Sequence, residues 1–167
     1  YFQTPIWVAE APMFLKNAIK VTDKYIKKAE KLLKDKLKNE PKWKKDLGTF
    51  GLSKHSESFS NDPKIKDLVQ FIGQRSYEFL DWSGFNLQNH SLHFTEFWVQ
   101  EFSEKGGGHH STHAHWNQHI SGFYFLKCND KTSFPIFHDP RPGAVMTKLP
   151  LKSEEQLSLG TSQDHYK

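Results

Sequence analysis

The chain has 167 residues, a formal charge of +4 and a hydrophobic content of 36%, which suffices for one domain with a buried core and excludes wholesale disorder. Aromatics make up 14%, with 14 Phe and 5 Trp, more large rings than a solvated tail carries. No run nears the roughly 18 apolar residues that cross a bilayer, no signal peptide is visible, and the single cysteine, Cys128, rules out an intramolecular disulfide framework and fits a reducing, cytoplasmic setting.

Tyr1-Phe2-Gln3 reads as the remnant of a protease-cleavable tag, leaving residues 4–167 as a single domain. Residues 16–45 then hold twelve lysines against Asp23, Glu30, Asp35 and Glu40, a local balance of +8 that leaves the rest of the chain near −4. Within that stretch Ala18, Val21, Tyr25, Ala29, Leu32 and Leu33 recur at three- and four-residue steps, the period of an amphipathic helix. The lysines fall on the face such a helix turns to water. Such an asymmetry also suits a nucleic-acid-associated protein using the Lys16–Lys45 face, but with Arg75 the only arginine in the first 100 residues the solvated face is the preferred reading, because lysine alone reads bases poorly. Asn61-Asp62-Pro63 is a helix start, a capping side chain followed by proline, and Ile65, Leu68, Val69, Ile72, Phe79 and Leu80 continue it as a second amphipathic helix. Gly73 weakens that helix locally, and Gly84, just past Trp82, marks its end.

Beyond residue 90 the period changes. His93–Phe102 is aromatic and β-branched and predicts a strand; Ile120–Lys127 predicts another, and Phe134–His138 a short third. Ser103–Gly108, with three consecutive glycines, joins the first two. Two helices followed by antiparallel strands make the fold class α+β, with helices packed outside a sandwich or barrel. So few strands with aromatic faces want partners, from another chain or from sequence past Lys167; an oligomer is therefore compatible with this reading.

Six of the ten histidines lie between residues 109 and 138. His113-Ala114-His115 stands immediately before an apolar strand. On extended backbone residues i and i+2 share a side, so two imidazoles can reach one ion, and neutral imidazole suits Fe, Zn, Cu and Ni. Asn117 follows at the same parity. Downstream, Phe137-His138-Asp139-Pro140-Arg141 ends a strand at a proline; Arg141 either pairs a neighbouring carboxylate or offers a planar cation to an anionic ligand. Ser121 reads as a small strand residue, Cys128 as a buried bystander, and Trp98 and Trp116 as packing rings. His55, His90, His93 and His165 have no expected metal role, His165 because its polar setting lacks a strand context. His109, His110, His119 and His138 read as loop or strand-edge residues.

Taken together, His113-x-His115-x-Asn117, Ser121-Gly122-Phe123-Tyr124-Phe125-Leu126 and Phe137-His138-Asp139-Pro140-Arg141 resemble a family of 2-oxoglutarate- and iron(II)-dependent oxygenases, common in phage and marine bacteria, with an H-x-H-x-N…S-G-[VF]-Y-[YF]-L…F-x-D-P-R pattern. The resemblance covers about residues 109–143. It implies a double-stranded β-helix (jelly-roll) core with the two amphipathic helices outside, and an Fe(II) centre supported by ascorbate in vitro. It further implies 2-oxoglutarate and O₂ as cosubstrates, and hydroxylation of a small molecule or a peptide side chain such as prolyl. A cytoplasmic location, a host's if phage-encoded, goes with it. His113 and His115 are the implied metal ligands; Asn117, Tyr124 and Arg141 are the implied cosubstrate contacts, although Tyr124 reads equally as a core aromatic.

Two departures qualify the match. The wider superfamily places an acid where His115 stands, so either both histidines bind the metal, the preferred reading, or His115 does so with an oxygen ligand such as Asp139. The later histidine and the basic clamp for the distal carboxylate are not visible, which reads as a jelly roll whose C-terminal strands lie beyond this sequence. The competing function is a non-catalytic jelly-roll or cupin-like module with structural metal or none.

Overall fold

A computed structural model describes residues 4–40, 53–102, 113–115, 117–130, 135–138 and 165–166. The chain divides into two compact units, Tyr1–Lys127 and Cys128–Lys167.

In the first unit a short 3₁₀ turn, Pro12–Phe14, leads into helix α1, Leu15–Asn39. Pro12 suits that entry because the first helical amides need no intrahelical partner. Ala18, Val21 and Ala29 are buried and Tyr25 half-buried, as the three- and four-residue period requires. Thr22 is also buried on this face, and its hydroxyl donates back to the Ala18 carbonyl at 2.8 Å, so no polar group is stranded. Leu32 lies on the same stripe, three residues beyond Ala29, yet is 59% exposed.

Asp62 opens the second helical segment. Its carboxylate accepts from the Lys64 amide at 2.9 Å, Pro63 occupies the first position of a 3₁₀ turn (Pro63–Ile65), and helix α2 runs from Lys66 to Trp82. At the far end Gly84 adopts φ +90°. The Gly84 amide donates to the Asp81 carbonyl at 2.9 Å and the Phe85 amide to Leu80 at 3.1 Å, the paired bonds of a Schellman stop that a side chain at Gly84 would strain. Trp7 packs against the same end, its ring 5.6 Å from Phe79 and 6.3 Å from Trp82.

The helices meet over a core of Ala18, Val21, Phe59, Ile65, Leu68 and Val99, with Tyr25, Phe97, Tyr124 and Leu126 packed against it. Asp62 ties α1 to the start of α2: Lys24 and the Tyr25 hydroxyl (2.8 Å) both donate to its Oδ2. Lys24 foremost, then the Lys64 amide and Tyr25, hold the Asp62 carboxyl down at about 2.

Among the described residues the strand content is smaller than the sequence pattern predicts. Strand β1, Ser53–His55, pairs antiparallel with β2, Gln100–Phe102, in the register Lys54 opposite Glu101. The chains stay side by side beyond the ladder. The Ser56 amide donates to Val99 (3.0 Å) and the Phe59 amide to Phe97 (2.8 Å), but the return bonds go to hydroxyls: Val99 donates to Ser56 Oγ and Phe97 to Ser58 Oγ. Serine side chains thus replace carbonyl acceptors, which is why the strand predicted over His93–Phe102 is regular only at its end. Ile120–Lys127, predicted as a strand, pairs in no ladder among the described residues. Its burial nevertheless alternates as on extended backbone, with Tyr124 and Leu126 half-buried and Phe123 and Phe125 exposed.

In the second unit, β3 (Phe137–His138) pairs antiparallel with β4 (His165–Tyr166), His138 opposite His165. The short third strand is therefore present at its last two residues. His165, expected to lack a strand context, has one. Cys128, expected to be buried, is free and exposed. Among the described residues no helix is long and apolar enough to cross a membrane.

Candidate functional site

The histidine hook is in the first unit. His113, Ala114 and His115 are all exposed, and the two imidazoles stand 5.0 Å apart between ring centroids, inclined at 61°. An imidazole nitrogen sits about 2.0–2.1 Å from a divalent ion, so two rings sharing one ion at a tetrahedral to right-angled spread have centroids roughly 4.5–5.2 Å apart. The observed spacing lies within that range. The two rings stand in edge-on contact, and imidazole donors suit iron or zinc.

The chain after the hook is pinned at successive points. Asn117 is exposed and takes φ +56°, a left-handed turn that asparagine tolerates better than most residues. Gln118 Nε2 donates to Thr95 Oγ1 at 3.0 Å, and the His119 ring meets Phe85 edge-on at 6.3 Å. Further along, the Tyr124 hydroxyl donates to the Ala11 carbonyl at 2.6 Å while its ring packs on the core. Lys127 lies 3.6 Å from Asp23 on α1. The hook therefore projects from a segment whose base is fastened to both helical regions, an arrangement that limits how far the imidazoles drift.

Of the sequence-derived site, His113 and His115 are together and Asn117 is one turn beyond them. Tyr124 is separated in role as well as in sequence, since its only hydroxyl proton is engaged with Ala11. Asp139 and Arg141 lie outside the described residues, as do His109, His110 and Trp116. Among the described residues no group of three or more His, Cys, Asp or Glu is arranged to hold an ion, so the pair has no third protein ligand there.

The remaining described histidines of this unit are engaged locally. His55 Nδ1 is 2.9 Å from the Ser56 carbonyl and its ring lies 4.0 Å from Trp98; His90 Nδ1 is 2.9 Å from the Gln88 carbonyl; His93 Nε2 is 2.9 Å from Ser91 Oγ. The contact sequence reasoning missed is the Tyr124–Ala11 bond. Residues 113 apart carry no local signal, and the only hint was the half-buried parity of Tyr124. Compared with models of protein families, with curated proteins and with solved structures, the chain finds no match in any of the three.

Proposed function

We propose that this chain is part of an Fe(II)- and 2-oxoglutarate-dependent dioxygenase acting as a hydroxylase, on a double-stranded β-helix core, in a reducing cytoplasm. The observation that carries the reading is the exposed His113–His115 pair at 5.0 Å, standing directly ahead of the Ser121–Leu126 segment whose pattern resembles that oxygenase family. Fe(II) held there would supply a centre that chelates 2-oxoglutarate and activates O₂.

The chain's own residues would divide the work. His113 and His115 would hold the metal through ring nitrogens. The Gln118–Thr95 bond and the packing of Leu126 keep the hook's base in place. Asn117 and Arg141 are assigned to the cosubstrate carboxylates, Arg141 for its bidentate geometry. Tyr124 joins them only by giving up Ala11 as its acceptor. A prolyl or other peptide side chain, or a small molecule, is the substrate class.

Anaerobic titration of the full chain with Fe(II), then with 2-oxoglutarate, is expected to show one metal per chain and cosubstrate binding only in its presence. Succinate release with Fe(II), ascorbate and O₂ reads turnover. Metal uptake without 2-oxoglutarate affinity would replace this reading with a non-catalytic jelly-roll or cupin-like module. The absence of any metal uptake would end the oxygenase reading and leave the module without metal.

A further inference from the structure

Seven of the nine lysines of α1, all but Lys28 and Lys36, are ordered more strictly than a solvated face requires. Lys16, Lys20, Lys24, Lys27, Lys31, Lys34 and Lys38 follow one another at steps of four, four, three, four, three and four residues. At about 100° per residue they fall within an arc of roughly 80°, centred about 165° from the mean direction of the buried Ala18, Val21, Thr22 and Ala29. The result is a ridge one lysine wide on the outermost line of the helix. It is about 33 Å long, with ammonium groups every 4.5–6 Å of rise.

Two of the seven are engaged, Lys24 with Asp62 and Lys34 with Glu30. The other five have no carboxylate partner among the described residues. Near its beginning the ridge borders a cavity of about 150 Å³ lined by Asn17, Lys20, Val21, Lys24 and Lys64. That is the space of roughly five waters, and three of its five lining residues are lysines, Lys24 among them with its ammonium paired to Asp62.

We infer that α1 is a contact ridge for the phosphate backbone of duplex nucleic acid, with the Lys20–Lys24–Lys64 cavity seating one phosphate. The inference goes beyond the oxygenase reading and does not depend on it. It takes up the less favoured of the two sequence readings of these lysines, for a reason the sequence did not give: a ridge of point charges positions a backbone and reads no sequence. Its length matches about one turn of duplex. An anionic bilayer fits less well for two reasons. An interfacial helix inserts its apolar face, and that of α1 is buried in the core. A plane resting on the ridge would also meet the flanking carboxylates Asp23, Glu30 and Asp35, which lie about 20–40° beyond its edges.

The test is fluorescence anisotropy of the full chain with a labelled 24-base-pair duplex of arbitrary sequence between 50 and 200 mM salt. Binding is expected with a log–log salt slope of about −4.5, five unpaired lysines at roughly −0.9 each. Lys20→Gln/Lys27→Gln/Lys31→Gln is expected to lower the slope by about three contacts' worth while circular dichroism keeps its helical signal, and Lys127→Gln to leave it unchanged. No binding at 50 mM salt, a slope insensitive to the triple substitution, or displacement of the duplex by phosphatidylserine vesicles through the same lysines would each overturn the assignment.

Discussion

Replacing Tyr124 with phenylalanine separates two roles for one side chain. The substitution deletes only the hydroxyl that donates to the Ala11 carbonyl at 2.6 Å and leaves the ring on the core. A single intramolecular hydrogen bond is worth about 0.5–1.5 kcal/mol net, rising to 1–3 when its loss strands a buried partner. Ala11 is 5% exposed, but its carbonyl also accepts from the Phe14 amide at 3.3 Å, so the acceptor is not orphaned and the lower range applies, about 1 kcal/mol. Urea denaturation followed by tryptophan fluorescence is expected to show that loss through a lower midpoint at unchanged slope. Affinity for 2-oxoglutarate in the metal-loaded chain is expected to stay within a factor of about two, because the donor faces Ala11. A variant as stable as the parent but unable to bind 2-oxoglutarate would refute this reasoning and place the hydroxyl on the cosubstrate.

Other expectations follow from the same structure. His113→Ala or His115→Ala is expected to abolish Fe(II) uptake by anaerobic calorimetry while leaving the urea midpoint of the metal-free chain unchanged, because both side chains are exposed. Ile65 is 1% exposed at the centre of the core; Ile65→Ala removes three carbons at about 0.8 kcal/mol each and leaves a cavity, so a loss of about 2.5–4 kcal/mol is expected by denaturation. Gly73→Ala is expected to stabilise by about 0.5–1 kcal/mol, read as a raised melting temperature, since the added methyl would lie 3.8 Å from the Phe94 ring, an ordinary contact. Because the Asp62 carboxyl is held at about 2, below its unfolded value of 3.8, its contribution is complete above pH 3.8 and disappears as the pH falls through 2. An acid titration by circular dichroism is expected to show this loss in the parent and a smaller one in Asp62→Asn.

The parts of the fold that were legible from sequence are those set by neighbours along the chain. Asp62-Pro63 fixes where the second helical segment begins, Gly84 fixes where α2 stops, and the period of Ala18, Val21 and Ala29 finds the buried face of α1. Strand β1 was not legible. Residues 53–59 are mostly polar, and their order comes from Phe97 and Val99, some 40 residues on, partly through serine hydroxyls that imitate carbonyls. The alternation of residues 123–126 was readable, but alternation fixes which side is buried and not whether a neighbouring strand exists. At the site, the closeness of His113 and His115 follows from i, i+2 geometry alone, whereas the engagement of Tyr124 with Ala11 depends on long-range packing.

The Tyr124–Ala11 contact also dictates an order of assembly. Closing a flexible loop of 113 residues costs about 4 kcal/mol in chain entropy, several times what one hydrogen bond returns. Closures of 37–38 residues, Asp62 onto Lys24 and Tyr25 and Phe59 onto Phe97, cost about 3 kcal/mol by the same measure and are favoured to come before it by about 1 kcal/mol. Each shortens the remaining loop before residues 118–126 dock. Loop closure thus favours fastening the histidine hook after the helices, which are also made before it during synthesis.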